Sequence, residues 1–378
     1  MRAYSAADEE AVRTRELLQD WRSEGLLSPE QYGRMEQDTV CGLRRTNIFL
    51  RLVLFFFTVV IAGAAVGLFA MGFSQAGERA LGVFLLICAA AAYAGAEIAV
   101  SNYQLYRHGI EEALVVCSVG LLCLGMALLG GDGALVWAAG AVASLWIWHR
   151  FGLAYAFFAA VIFAAFVPGH WTAAASGQHL IVGGMYAAGL ALVFALRLDS
   201  IAEALLWLGI YVAINLQLSS DLLDAWVAGS AGTGEFSRPF YWTTYVLTWC
   251  LPPVMLVRGV RSRGRWVIAA GLIAAVLTLI TNKPYLGWPR HTWDPMLLGA
   301  LLAGVALFVQ KWLGKGAGGV RHGFTARRLS ANDKSWMNVG ITVVGLASPE
   351  MVTPKPQASS RAQFGGGDSG GGGATSDF

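Results

Sequence analysis

Charge is what this chain has least of. Only 13% of its 378 residues are Asp, Glu, Lys or Arg, roughly half the share of an ordinary water-soluble domain. Hydrophobic residues make up 56% and mean hydropathy is +0.54. Such a chain cannot cover its surface with polar groups in water, which excludes a soluble globular protein. The net charge of +3 is too small for a nucleic-acid binder. Metal chemistry is also missing: no two of the six histidines share a His-x-x-x-His or His-x-Glu motif. Four of the five cysteines, Cys88, Cys117, Cys123 and Cys250, sit inside apolar runs, and Cys41 precedes the first run. They read as small buried hydrophobes, not as a disulfide framework. A phosphate-binding glycine loop, a serine nucleophile elbow and a paired-carboxylate motif are absent too. No enzyme is expected, and no cofactor.

What is present is a series of long uncharged runs. A helix needs about 20 apolar residues to cross a bilayer. The runs are Leu52–Gly77, Leu81–Val100 (interrupted only by Glu97), Ala113–Gly131, Gly133–Trp148, Phe151–Leu196, Ala204–Ser220, Pro239–Val257, Trp266–Thr281 and Pro295–Gln310. Phe151–Leu196 is too long for one crossing, and Pro168-Gly169-His170 splits it into about 151–167 and 178–196. The expected fold is therefore all-α: a polytopic transmembrane bundle of about ten spans over 47–312. A cytosolic N-terminal helical hairpin over 1–46 and a cytosolic tail over 313–378 flank it. Pro252-Pro253 is expected to kink the eighth span.

Lys and Arg placement sets the orientation. With the N-terminus inside, the inner loops carry Arg107, Arg150, Arg197, Arg258, Arg261, Arg263 and Arg265. Arg44, Arg45, Arg51, Lys311 and Lys315 add to that side, against Arg79, Arg238, Lys283 and Arg290 outside. Twelve against four predicts both termini in the cytoplasm. The polar first 46 residues predict no cleavable signal peptide.

In the N-terminal segment, Val12, Leu17, Leu18 and Trp21 recur at helical spacing, and Gly25 punctuates. Ser28-Pro29-Glu30-Gln31 then supplies an N-cap with Pro at the first helical position. The string Leu18, Trp21, Gly25, Leu26, Leu27, Ser28, Glu30, Gln31 resembles the short cytosolic hairpin that opens a family of predicted bacterial multi-span membrane proteins. That resemblance implies a bacterial inner-membrane location. It implies little chemistry, because the family lacks an assigned activity. At the other end, Trp336–Leu346 is apolar but too short to span, and the Gly-rich sequence from about Ser359 is expected to be disordered.

Two stretches echo each other. Tyr93-Ala-Gly-Ala leads to Gly109-Ile-Glu-Glu-Ala-Leu114, and Tyr186-Ala-Ala-Gly leads to Ser200-Ile-Ala-Glu-Ala-Leu205. Arg107 precedes the first turn and Arg197 the second. The echo points to parallel repeats over 79–168 and 178–281, the kind of internal symmetry found in transporters. Chance similarity is the competing reading in a chain so rich in Ala, Leu and Gly.

The candidate functional charges are Glu97, Glu112, Glu203, Arg107 and Arg197. Glu112 and Glu203 open their helices, and capping of the helix dipole is the preferred reading of both, with Ser200-x-x-Glu203 as a capping box. Glu97 lies deeper; an arginine partner such as Arg107 or Arg150 is one reading of it, and a side chain that snorkels to the boundary is the other. His170, His179 and His291, with Asp221, Asp224 and Asp294, read as solvated loop residues rather than a metal site. Asp294-Pro295 reads as the start of the last span, and the aromatic loop around Tyr285, Trp288 and Trp293 as an interfacial belt.

Two function classes remain open. A transporter or permease-like protein is supported by the echo, the proline pair and the boundary charges. A non-transporting scaffold or sensor is supported by the hairpin, the tail and the scarcity of polar groups in mid-span. A continuous row of buried polar side chains would favour the first, and a dry Leu/Ala/Gly bundle the second. The lipid bilayer is the one expected partner.

Overall fold

The computed structural model describes residues 3–23, 25–39, 42–43, 46–74, 77–172, 174–218, 236–288, 291, 293–315, 320–321 and 324–325. The expectations placed on Cys41, Arg44, Arg45, Asp221, Asp224, Arg290, His322, Trp336–Leu346 and the Gly-rich tail lie outside the described residues. The chain divides into two units, residues 1–15 with 36–326 and residues 16–35 with 327–378.

Two polar helices come first, α1 (Ala6–Ser23) and α2 (Pro29–Asp38). α1 starts at Ser5, whose Oγ accepts the Asp8 N–H at 3.1 Å. Val12 and Leu18 are buried, whereas Leu17 and Trp21 are exposed. In the small unit the chain turns at Gly25, whose φ of +72° needs no Cβ. α2 begins in a reciprocal capping box. Ser28 Oγ accepts the Gln31 N–H at 3.2 Å, and Gln31 Oε1 accepts the Ser28 N–H at 3.0 Å. Arg22 lies over the Tyr32 ring, 4.6 Å from its centre.

The large unit continues with apolar helices: α3 (Ile48–Ser74), α4 (Glu78–Ser101), α5 (Ile110–Leu128), α6 (Gly133–Phe151), α7 (Ala154–Phe166), α8 (Ala175–Leu196), α9 (Ser200–Ile214), α10 (Arg238–Ser262), α11 (Arg265–Tyr285) and α12 (Asp294–Gly314). The protein is all-α; among the described residues, its only β structure is the antiparallel two-residue pairing of Val320–Arg321 with Phe324–Thr325. Every uncharged run falls on one of these helices. The expected break at Pro168 is a 3-10 turn over Val167–His170 between α7 and α8.

Among the described residues, six helices are long and apolar enough to cross a membrane: α3, α4, α5, α8, α11 and α12. α7 with its 3-10 turn, and α9, are apolar but shorter. α9 ends at Ile214 rather than running to Ser220, because Asn215 leaves helical geometry and turns its amide inward. α6 and α10 reach the length but carry more polar sequence: His149 and Arg150 in one, and Thr243, Thr244, Thr248, Arg258 and Arg261 in the other. No residue in the apolar windows of α3 and α12 is buried by protein. Their Phe, Leu and Val side chains face outward and suit embedding in lipid.

Packing follows small residues and satellite clusters. α4 and α5 pack most closely: a Cβ on Gly82 would stand 3.0 Å from the Gly125 carbonyl, and one on Gly125 would stand 3.0 Å from that of Gly82. Without those two hydrogens-for-side-chains the helices could not approach so far. Val115, Ile147, Phe151 and Ala156 join α5, α6 and α7 in one cluster. Phe157, Tyr186, Leu190 and Leu206 join α7, α8 and α9. Tyr211, Met255, Val267 and Ala274 join α9, α10 and α11.

Candidate functional site

Among the described residues four ion pairs tie helices together in the large unit, and three of them hold a glutamate. Each of those three uses an acidic residue of an apolar segment, where a lone carboxylate is costly. Glu97 on α4 takes Arg150 of α6 in a two-pronged pair, Nε to Oε1 at 2.7 Å and Nη2 to Oε2 at 2.8 Å. Tyr93 OH donates to the same Oε1 at 2.8 Å and accepts from Trp146 Nε1 at 2.9 Å. Arg150 is thus the partner, not Arg107. Glu112 on α5 takes Arg51 of α3, with Nε donating to Oε2 at 2.7 Å and Nη2 to Oε1. Glu203 on α9 takes Arg258 of α10, Nε to Oε1 at 3.0 Å. Arg258 also covers the Phe194 ring at 4.6 Å.

These pairs correct the capping-box reading of Glu203 and give both Glu112 and Glu203, which lie in the first turns of their helices, a partner on another helix. Both carboxylates reach across to a neighbouring helix instead of back to their own first turn. Ser200 is not the N-cap either: Asp199 holds that position in extended geometry, with no side-chain cap bond. The N-cap of α5 is Gly109, without a side-chain cap bond, and just before it the His108 backbone N–H donates to Glu111 Oε1 at 2.7 Å. Arg107 and Arg197 form no ion pair among the described residues. Both adopt left-handed backbone geometry, φ +51° and +50°, and Arg197 is the C-cap of α8. Arg107 lies over Tyr106, 5.4 Å from its ring centre.

Glu111 escaped the reading from sequence. It is 1% exposed, and its Oε2 has no hydrogen-bond partner. Arg51 and Glu112 lie beside it, with Tyr4 and Tyr155 in electrostatic range. Tyr4 is buried, meets Tyr106 edge-on at 4.9 Å, and is anchored by the Ala3 N–H donating to the Arg150 carbonyl at 2.7 Å. Burial, with Glu111 nearby, pushes the Tyr4 phenol up, so it stays neutral. His108 Nδ1 and Trp207 Nε1 are the other buried side-chain atoms without a partner among the described residues.

A second polar feature runs through the seam of α9, α10 and α11. Asn215 Nδ2 donates to Tyr211 OH at 2.9 Å and to Thr281 Oγ1 at 3.0 Å. Tyr211 OH bonds Thr278 Oγ1 at 2.9 Å. Thr278 Oγ1 lies 3.1 Å from the Thr248 carbonyl. That carbonyl is four residues before Pro252, which has no N–H to give it, and the single Thr278 hydroxyl proton is shared between it and the Ala274 carbonyl at 2.9 Å. The seam continues through Tyr285, whose OH accepts the Leu216 N–H at 2.6 Å, and Tyr241, whose OH donates to the Tyr285 carbonyl at 2.9 Å. Tyr245 closes it on Asn282 Oδ1 at 2.9 Å. Tyr211 and Asn215 are 0% exposed and Thr248 1%. From Glu203 to Asn215 is about 18 Å along a helix axis, so the ion pair and the seam occupy opposite ends of α9.

The histidines are dispersed. His179 Nδ1 faces the Ala213 carbonyl at 2.7 Å, and a Cβ on Gly133 would strike the His170 ring at 2.2 Å. His291 stacks on Trp293. Among the described residues no group of three His, Cys, Asp or Glu could hold a metal. Asp294 is the first residue of α12 rather than its cap, which is Trp293. It pairs with Lys283 at 2.5 Å and accepts the His291 N–H at 2.9 Å. The Lys283 ammonium, with that N–H, holds the Asp294 carboxyl below the usual aspartate range. Its stabilising effect is therefore present above the ordinary aspartate pKa and lost as pH falls through the lower folded value. Emission from Trp288 and Trp293 should shift on acidification in the wild type, and the shift should disappear in Asp294→Asn.

Comparisons with family models, curated proteins and solved structures return no match. The resemblance of the N-terminal string therefore identifies no family, and what stands is a multi-span helical membrane protein.

Proposed function

We propose that this integral membrane protein is a transporter or permease-like protein rather than an enzyme, and that its path follows the polar seam between α9, α10 and α11. The observation carrying this reading is the unbroken row of buried hydroxyl and amide groups from Asn215 through Tyr211 and Thr278 to the Thr248 carbonyl. Neutral donors and acceptors of that kind can exchange partners with a small polar solute without exposing a charge. Pro252 and Pro253 in α10 supply a place for the seam to open, because two backbone N–H donors are missing there. The mutual satisfaction of these groups favours a second reading, in which the seam is interhelical glue within a scaffold.

Cysteine accessibility separates the two. In a background without the five native cysteines, Thr248→Cys and Thr278→Cys should react with a membrane-impermeant thiol reagent, while Ala274→Cys should not. A seam that serves only as glue leaves all three unreactive.

The ten-span layout in a bacterial inner membrane, with both termini cytoplasmic, belongs to the same reading. It rests on the uncharged runs and the twelve-to-four Lys/Arg bias. Reporter fusions at Gly25 and Gly370 should both report cytoplasm; a periplasmic signal at either site refutes it. The parallel repeat over 79–168 and 178–281 is part of the proposal too, with Glu112 and Glu203 as corresponding residues, each paired with an arginine of a neighbouring helix.

A further inference from the structure

We infer that Glu111 is a proton-binding site, its free oxygen taking one proton from the solvent and holding it beneath the N-terminal residues Ala3 and Tyr4. This inference does not depend on the transport reading.

The argument is one of charge and of unmet bonds. Glu111 is 1% exposed and Glu112 3%, so two adjacent carboxyl groups are withdrawn from water. One guanidinium stands against them. Arg51 commits both of its bonding nitrogens to Glu112. Glu111 Oε1 is satisfied by the His108 backbone N–H, and Oε2 by nothing. A buried carboxylate oxygen without a donor is among the costliest arrangements a protein can hold.

Among the described residues the surroundings supply no second cation. α3 contributes Arg51, already engaged. α4 contributes Glu97 and α6 contributes Arg150, which neutralise each other. α7 contributes the Tyr155 phenol, and the N-terminal segment the Tyr4 phenol. In the turn before α5, Arg107 is exposed and lies on Tyr106, and His108 presents a buried Nδ1 without a partner. Counted over the described residues, the cluster carries one negative charge in excess. A proton removes the excess with the smallest possible group. It arrives on a solvent hydronium ion, which loses one O–H bond and leaves as water. It forms one O–H bond on Oε2, breaks none in the protein, and turns that oxygen into a donor in the same turn as the unpartnered His108 Nδ1. Tyr4 and its anchor, the Ala3 N–H on the Arg150 carbonyl, close the approach from the N-terminal side.

Infrared spectroscopy of the full chain in lipid vesicles tests this directly. A protonated carboxyl band should be present at neutral pH, shift in D2O, disappear in Glu111→Gln and persist in Glu203→Gln. Glutamine copies the protonated acid, so Glu111→Gln should melt within a degree or two of the wild type, whereas Glu111→Ala should melt clearly lower. Tyr4→Ala should speed the D2O shift of the band at least tenfold. The inference is overturned by a wild type lacking the band, by a band that survives Glu111→Gln, or by a Gln variant as unstable as the Ala variant. Stabilisation of the wild type, but not of Glu111→Gln, by sodium at fixed pH would assign the site to a metal cation and overturn it too.

Discussion

Gly109→Ala should be the most damaging single-methyl change in the large unit, lowering stability by about 3 kcal/mol or more. Two penalties combine at this residue. Its φ of +103° lies where an L side chain is strained, at a cost of roughly 1–2 kcal/mol. A Cβ there would also stand 2.2 Å from the Arg51 carbonyl oxygen and 3.1 Å from the Phe55 nitrogen. Both are backbone atoms of α3, so no side chain can swing away, and overpacking of this sort adds roughly 1–3 kcal/mol. Relief requires α3 to move off the start of α5, which pulls Arg51 from Glu112. Thermal unfolding in detergent should show the loss. Gly120→Ala, where a Cβ meets nothing within 4 Å, is the control and should be near neutral. Equal melting temperatures for the two variants would mean that α3 does not rest on Gly109.

Element positions were legible because a bilayer-spanning helix must be apolar along its length, which leaves a mark in one dimension. The nine uncharged runs, one of them split at Pro168, fall on ten apolar helices, of which six among the described residues are long and apolar enough to cross a membrane, and the Pro168 break and the Ser28 capping box are local signals too. Partnerships left no such mark. Arg51 and Glu112 are 61 residues apart, and Arg258 and Glu203 are 55 apart. Arg51 registers in the sequence only as a boundary charge. Glu111 and Glu112 are neighbours of one type, and only the packing of α3 decides which receives the guanidinium. The Ser200 box fails because Asp199 takes the cap one residue earlier and Arg258 draws Glu203 away. The polar seam did leave a signal that goes unread when runs are judged only by absence of charge. Thr244, Thr248 and Pro252 lie four apart on α10, Tyr211 on α9 lies four before Asn215 at its C-cap, and Thr278 and Thr281 lie three apart on α11. Spacing of that kind puts each set on one face of its helix.

Arg51→Ala should cost about 3–5 kcal/mol, the usual penalty for removing one member of a buried pair. The size follows from what remains. Glu112 loses both of its guanidinium bonds at 5% side-chain exposure, beside a second buried carboxyl. Arg258→Ala should cost much less, because Arg258 is 45% exposed and its pairing with Glu203 is already weakened by solvent. Combining Arg51→Leu with Glu112→Leu should recover most of the loss, since an apolar pair of similar volume leaves no uncompensated charge. The recovery would show that the penalty belongs to the stranded carboxylate and not to lost packing of the arginine stem. A double variant as unstable as Arg51→Ala would place the energy in that stem. Equal losses for Arg51→Ala and Arg258→Ala would mean that burial does not distinguish the two pairs.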